Sequence, residues 1–164
     1  MKVKVFYHDK CFDGACSAAL FTRFYRERIR AQAEFEYHGL VHRAGALFNE
    51  ADFTGDENAI VDFKYSASPH ITWWFDHHQS AFLTPEDASH FEHDQSDRKF
   101  YDPDFRSCTR FIAVTTQQRF GFNAEWLQCS VLGLQPLFSF NFLLLSREIL
   151  GNPVAEWVIC RMRP

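Results

Sequence analysis

Lys2-Val3-Lys4-Val5-Phe6-Tyr7-His8-Asp9-Lys10-Cys11-Phe12-Asp13-Gly14-Ala15 opens the chain and decides the reading of its fold. Lysine alternates with apolar residues up to Tyr7, the period of a strand. Asp13-Gly14 then turns the chain. Residues 15–29 are rich in Ala, Leu, Phe and Arg and predict a helix. Strand, acidic turn and helix together make the first half of a βαβ unit. Residues 34–38 alternate again and read as the second strand. Two short apolar runs, 58–63 and 71–75, are bounded by polar residues and suit buried parallel strands. Asp102-Pro103 predicts an N-cap with proline at the first helical position. The helix it starts runs over 104–119, with Gly121 as its C-terminal stop. The expected fold is α/β: an open, largely parallel sheet flanked by helices.

The chemistry-bearing residues follow the predicted strands. His8 to Asp13 come after the first, Asp62 after Ile60-Val61, and Asp76-His77-His78 after the run ending in Phe75. In an open parallel sheet the ligand crevice forms outside the C-terminal strand ends. Carboxylates and imidazoles converging there suit Mn²⁺ or Mg²⁺ more than a structural zinc. Asp62 could bridge two cations, because each carboxylate oxygen can take one. His78 could stabilise a phosphoryl oxygen. Arg43, Arg106 and Arg110 are candidate phosphate contacts. Each residue also has a plainer reading. A strand-end aspartate often shapes a turn, Asp76 could cap a helix at Gln79, and His90 and His93 read as solvated loop residues. The plain readings weaken jointly, because three separate strand ends carry suitable residues.

Composition bounds the partners. The 164 residues are 46% hydrophobic and carry 19 phenylalanines, which is a folded, aromatic-rich composition. The net charge of −4 argues against holding a long duplex nucleic acid by counterion release. A small phosphorylated substrate fits better. The five cysteines have no zinc-type pairing, and no signal-peptide apolar region precedes the first strand. The expectation is a cytoplasmic protein with free thiols. All aspartates lie at or before Asp104, and residues 126–146 carry no charge. Pro136 and the interspersed Gln, Ser and Asn argue against a membrane span there.

The motifs resemble the DHH phosphoesterase superfamily, named for its Asp-His-His tripeptide. His8-Asp9-Lys10-Cys11-Phe12-Asp13-Gly14 resembles the first motif, Val61-Asp62 the second and Asp76-His77-His78 the third. The resemblance implies a Rossmann-like DHH domain over residues 1–122. It implies His8, Asp13, Asp62 and His77 as metal ligands, with Asp62 bridging two Mn²⁺ ions, or Mg²⁺. It implies that His78 faces the scissile phosphate and that Asp76 orients the site. The expected activity is hydrolysis of a phosphodiester in a short oligonucleotide or dinucleotide. Cys11 departs from the family, which usually has Asp there, and a thiolate would favour softer ions. A fourth-motif Asp is missing near residues 126–137. Residues 123–164 therefore read as an atypical apolar segment, and the expectation is that it arose from a shifted or truncated frame. The competing expectation is a remnant that binds one metal or a nucleotide without turnover.

Overall fold

The computed structural model describes residues 1–124. Expectations for the apolar segment beyond Ala124, including the absent fourth carboxylate, lie outside the described residues. The strands are β1 (Lys2–His8), β2 (Glu34–Leu40), β3 (Glu57–Val61), β4 (Ile71–Asp76) and β5 (Lys99–Tyr101). The helices are α1 (Phe12–Arg28), α2 (Pro85–Glu92) and α3 (Cys108–Phe120). The strands form one sheet in the order β2-β1-β3-β4-β5, and every pairing is parallel. The expected α/β class is therefore present, with a sheet that is entirely parallel.

Strand periodicity sorts the side chains into two layers. Val3, Val5, Tyr7, Ala59, Val61, Trp73 and Phe75 face α1 and α3, where Phe21, Phe24, Phe111 and Ile112 meet them. Phe6, Ile60 and Trp74 face the other way, into Phe53, Phe63, Tyr65 and Ala81, with Phe82 and Phe91 packed on them. A register shift between Asn58 and Ala59 sets Trp73 beside Ala59 and Trp74 beside Ile60. The two indoles thus anchor opposite faces. Trp73 meets Phe24 edge-on at 5.7 Å, and Trp74 meets Tyr65 edge-on at 4.8 Å. Such pairs contribute about 0.5–1.5 kcal/mol each beyond the area they bury. Both indole nitrogens are bonded, to Glu57 Oε2 at 2.7 Å and to the Phe63 carbonyl at 2.9 Å. Phe122 and Ala124 also belong to the core, so packing continues past the boundary expected at residue 122.

Three local expectations are corrected. Asp13-Gly14 is not a turn, because α1 already starts at Phe12. Glycine is needed there for a close approach: a Cβ at position 14 would lie 2.2 Å from the His8 carbonyl oxygen. The helix expected from Asp104 starts instead at Cys108, capped by Ser107, whose Oγ accepts from the Arg110 N–H. Asp102 Oδ1 accepts only the Asp104 N–H of a tight turn. Asp13, far away in sequence, accepts the Cys108 and Thr109 N–H groups and fixes where the helix begins. The stretch read as a polar loop holds α2 and ends in β5. There His90 Nδ1 pairs with the Tyr65 hydroxyl, and His93 Nδ1 with the Ser89 carbonyl. Gly121 ends α3 as expected, in the left-handed region at φ 62°.

The Gly14 contact gives a test. Helix propensity alone favours alanine over glycine by about 1 kcal/mol. The clash with backbone opposes it, and overpacking costs about 1–3 kcal/mol. Gly14→Ala is expected to lower stability in urea denaturation. A variant as stable as the parent would show that β1 and α1 have room to part.

Candidate metal centre

Chain order makes the crevice. From β1 the chain crosses to β2 on one side, while β3 lies on the other, so the connections diverge between β1 and β3. His8 ends β1 and Asp62 directly follows β3. Asp62 has φ 57°, the left-handed region that few residues besides glycine occupy without strain. Its N–H still bonds the Phe75 carbonyl at 2.9 Å, so the sheet holds the strained residue in place.

The Asp62 side chain is buried at 1% exposure, and neither carboxylate oxygen has a partner in full hydrogen-bond geometry; the Cys11 thiol is near enough to offset a small part of the cost of burial. Burial pushes its pKa up to about 8, and the nearby Asp13 charge adds to the rise. What surrounds it is a ring of donors. His77 Nε2 lies 3.4 Å from Oδ1 and His8 Nδ1 lies 3.6 Å from Oδ2. His8 Nδ1 is itself buried and unpartnered. Burial lowers the His8 pKa, with His42 and His78 adding to the effect, which favours the neutral ring. The donor atoms of His8, Cys11 and Asp62 lie within 4.8 Å of one another, and so do those of Asp62, His77 and His78.

Hydrogen bonds assign the His77 tautomer. Nδ1 lies 2.9 Å from the Phe105 carbonyl oxygen, which can only accept, so Nδ1 carries the hydrogen. In the neutral ring the Nε2 lone pair then faces Asp62 Oδ1 and, at 3.7 Å, Asp13 Oδ2. A lone pair facing two carboxyl groups needs a proton or a cation between them. An imidazole oriented through its second nitrogen by a backbone carbonyl is also a recurrent form of metal-bound histidine.

Asp76 is fully buried and does not cap a helix at Gln79. Its Oδ1 accepts the His77 N–H at 2.8 Å and pairs with His78 Nδ1 at 2.6 Å. That bond is the main reason the His78 pKa is raised. The His78 side chain is 40% exposed, and Nε2 is left for a ligand. Tyr101 steadies the same turn by donating to the His78 carbonyl.

Asp13 is more committed than a free ligand. Oδ1 accepts from Ser107 Oγ, Thr109 N and Thr109 Oγ1, while Oδ2 accepts from Cys108 N. It sits at the N-terminal end of α3 and satisfies two of that end's free N–H groups. Oδ2 takes a single bond and is the oxygen facing His77. Arg106 and Arg110 are exposed, and among the described residues neither guanidinium touches the Asp62 cluster. Arg43 lines a cleft of about 210 Å³ with His38, Leu40, Phe48 and Phe53. Sequence reasoning missed His42, whose ring lies 5.0 Å from His8 and stacks on Phe63. Its place just past β2 was the available signal.

The residues present fit a divalent cation. A buried carboxylate with both oxygens unpaired, ringed by imidazole and thiol donors, lacks only the positive charge. No protein-family model, curated protein or solved structure matches the chain. No described helix is long and apolar enough to cross a membrane.

The raised Asp62 pKa sets a pH dependence. Between the ordinary carboxyl value of 3.8 and about 8, the unfolded chain has lost this proton and the folded one keeps it. Stability of the metal-free protein therefore falls as pH rises through that window. His78, its pKa raised by Asp76, contributes below its ordinary value of 6.5 and is lost as pH rises through its folded pKa. Comparison with Asp62→Asn isolates the aspartate. In EDTA at pH 8 the variant is expected to be more stable by about 1–3 kcal/mol, the cost of an unsatisfied buried group. Parallel stability–pH curves for parent and variant would contradict this account.

Proposed function

We propose that the chain is a metal-dependent phosphoesterase of the DHH type, hydrolysing a phosphodiester bond in a small nucleotidyl substrate. The observation that carries the reading is Asp62: buried, unpaired at both oxygens, and shared by two groups of donors. His8, Asp62 and His77 would hold the ions, with Asp13 Oδ2 beside them and Asp62 between the two groups. Mn²⁺ is the proposed ion, with Mg²⁺ as the alternative of the same donor preference. Bound there, two such cations would lower the pKa of an attacking water and neutralise charge on the phosphoryl oxygens.

The rest of the chemistry belongs to side chains. Asp76 Oδ1 accepts from His78 Nδ1–H, and the imidazolium form of His78 would present Nε2–H as a donor toward a phosphoryl oxygen. The pairing favours the imidazolium, the form that stabilises developing negative charge there. Phe105 and Ser107 touch His77 and Asp13, and Arg106 lies between them. We place Arg106 and Arg110 as outer phosphate contacts on that ground. The cleft lined by Val41 and Arg43 flanks His42, which leans on His8. Its aromatic walls suit one base, with Arg43 and Asp52 as its charged lining, which supports a substrate with a single base docked beside the centre.

A second reading has its own support. Asp13 is largely occupied by the start of α3. A site with fewer free carboxylates would bind one ion and a phosphate without turnover.

Hydrolysis of pApA by the purified full chain separates the two. The phosphoesterase reading expects turnover with Mn²⁺, none with EDTA, and loss of at least about 10²-fold with Asp62→Ala. Asp76→Asn is expected to slow the reaction by about 10-fold or more at neutral pH, because His78 loses its anchor. Folded protein that binds Mn²⁺ and leaves pApA intact would favour the single-ion reading.

A further inference from the structure

The two donor groups that share Asp62 are chemically unequal. One is Asp62, His77 and His78, with nitrogen and oxygen donors only. The other is His8, Cys11 and Asp62, which adds a sulfur. We propose that Cys11 is a metal ligand and that the His8–Cys11–Asp62 half of the centre selects a thiophilic divalent ion, Zn²⁺, Fe²⁺ or Co²⁺, in place of Mn²⁺ or Mg²⁺. The proposal rests on the metal-centre reading given above.

Cys11 stands apart from the other described cysteines. Cys16 and Cys108 are buried at 2% and 0% exposure, packed within the fold. Cys11 is partly exposed and sits at the N-cap of α1. Serine, threonine, aspartate or asparagine would normally cap the helix with a side-chain hydrogen bond there. Cys11 makes no such bond. Its side chain therefore has no structural task in the cap, and its sulfur is left in the crevice beside His8 and Asp62.

Asp62 supplies the independent observation. Its two oxygens are buried without partners, and so is His8 Nδ1. With a cation in place, the thiol proton leaves to solvent and sulfur, nitrogen and oxygen donors complete three positions. One nitrogen, one sulfur and one oxygen with an open position suit zinc-like ions, because soft thiolate contributes little to Mg²⁺ or Mn²⁺. Such a centre would hold different ions in its two halves, joined by Asp62.

Cobalt makes this visible without any assay of activity. The metal-free full chain is titrated with Co²⁺, followed by absorption. The expected result is a thiolate-to-cobalt charge-transfer band in the near ultraviolet, together with visible d–d absorption. Cys11→Ser is expected to lose the charge-transfer band. Cys11→Asp, which restores an anionic ligand, should keep the d–d absorption, lose the band and shift competition between Zn²⁺ and Mn²⁺ toward Mn²⁺. Cobalt binding with d–d absorption and no thiolate band would overturn the proposal and leave the metal-centre reading standing. A band that survives in both variants would assign it to another cysteine and overturn the proposal too. A folded chain that binds no Co²⁺ at all would remove both readings.

Discussion

A carboxylate buried without a partner constrains everything around it. Asp62 is held at 1% exposure at the end of β3, in a left-handed backbone conformation, with neither oxygen hydrogen-bonded. Desolvation and strain of this kind cost free energy and persist only where the surroundings over-determine them. Here β1 and β4 flank β3 on both sides, and the Phe75 carbonyl fixes the Asp62 amide. Two neighbouring imidazoles turn toward the same point. His8 and His77 face the carboxylate with nitrogen atoms, and the Phe105 carbonyl has already set which nitrogen His77 offers.

The aromatic core is what makes such a point tolerable. Trp73 and Phe75 on one face, and Trp74 on the other, are buried among rings that meet mostly edge-on. That packing stiffens the strands whose ends carry the site. Asp13 couples the site to the helical layer. Its carboxylate both starts α3 and faces His77, so the helix position and the site geometry depend on one side chain. Asp76 plays the matching part on β4, through the His77 amide and the His78 ring.

Much of this was legible in the sequence. The strands that alternate or run apolar, β1 to β4, were readable because burial imposes the pattern directly on local residue order. His8, Asp62 and the Asp76–His78 run were readable because strand ends are where parallel sheets place ligands. The start of α3 was not readable, because it is set by Asp13, some ninety residues earlier in the chain, and not by Asp102-Pro103. The role of Gly14 was misread for the same reason: its constraint is the His8 carbonyl across a loop, and not a turn. β5 is short and its residues only half-buried, so its pattern is weak. His42 carried the same strand-end signal as His8 but no neighbouring carboxylate to draw notice.

The account stands or falls on whether Asp62 exists for a cation. Equilibrium dialysis of the full chain against Mn²⁺ at pH 8, with Asp62→Asn alongside, tests this most directly. The account predicts one or two ions bound per chain in the parent and none in the folded variant. Equal binding by both would contradict it, and the buried carboxylate would then need a different explanation.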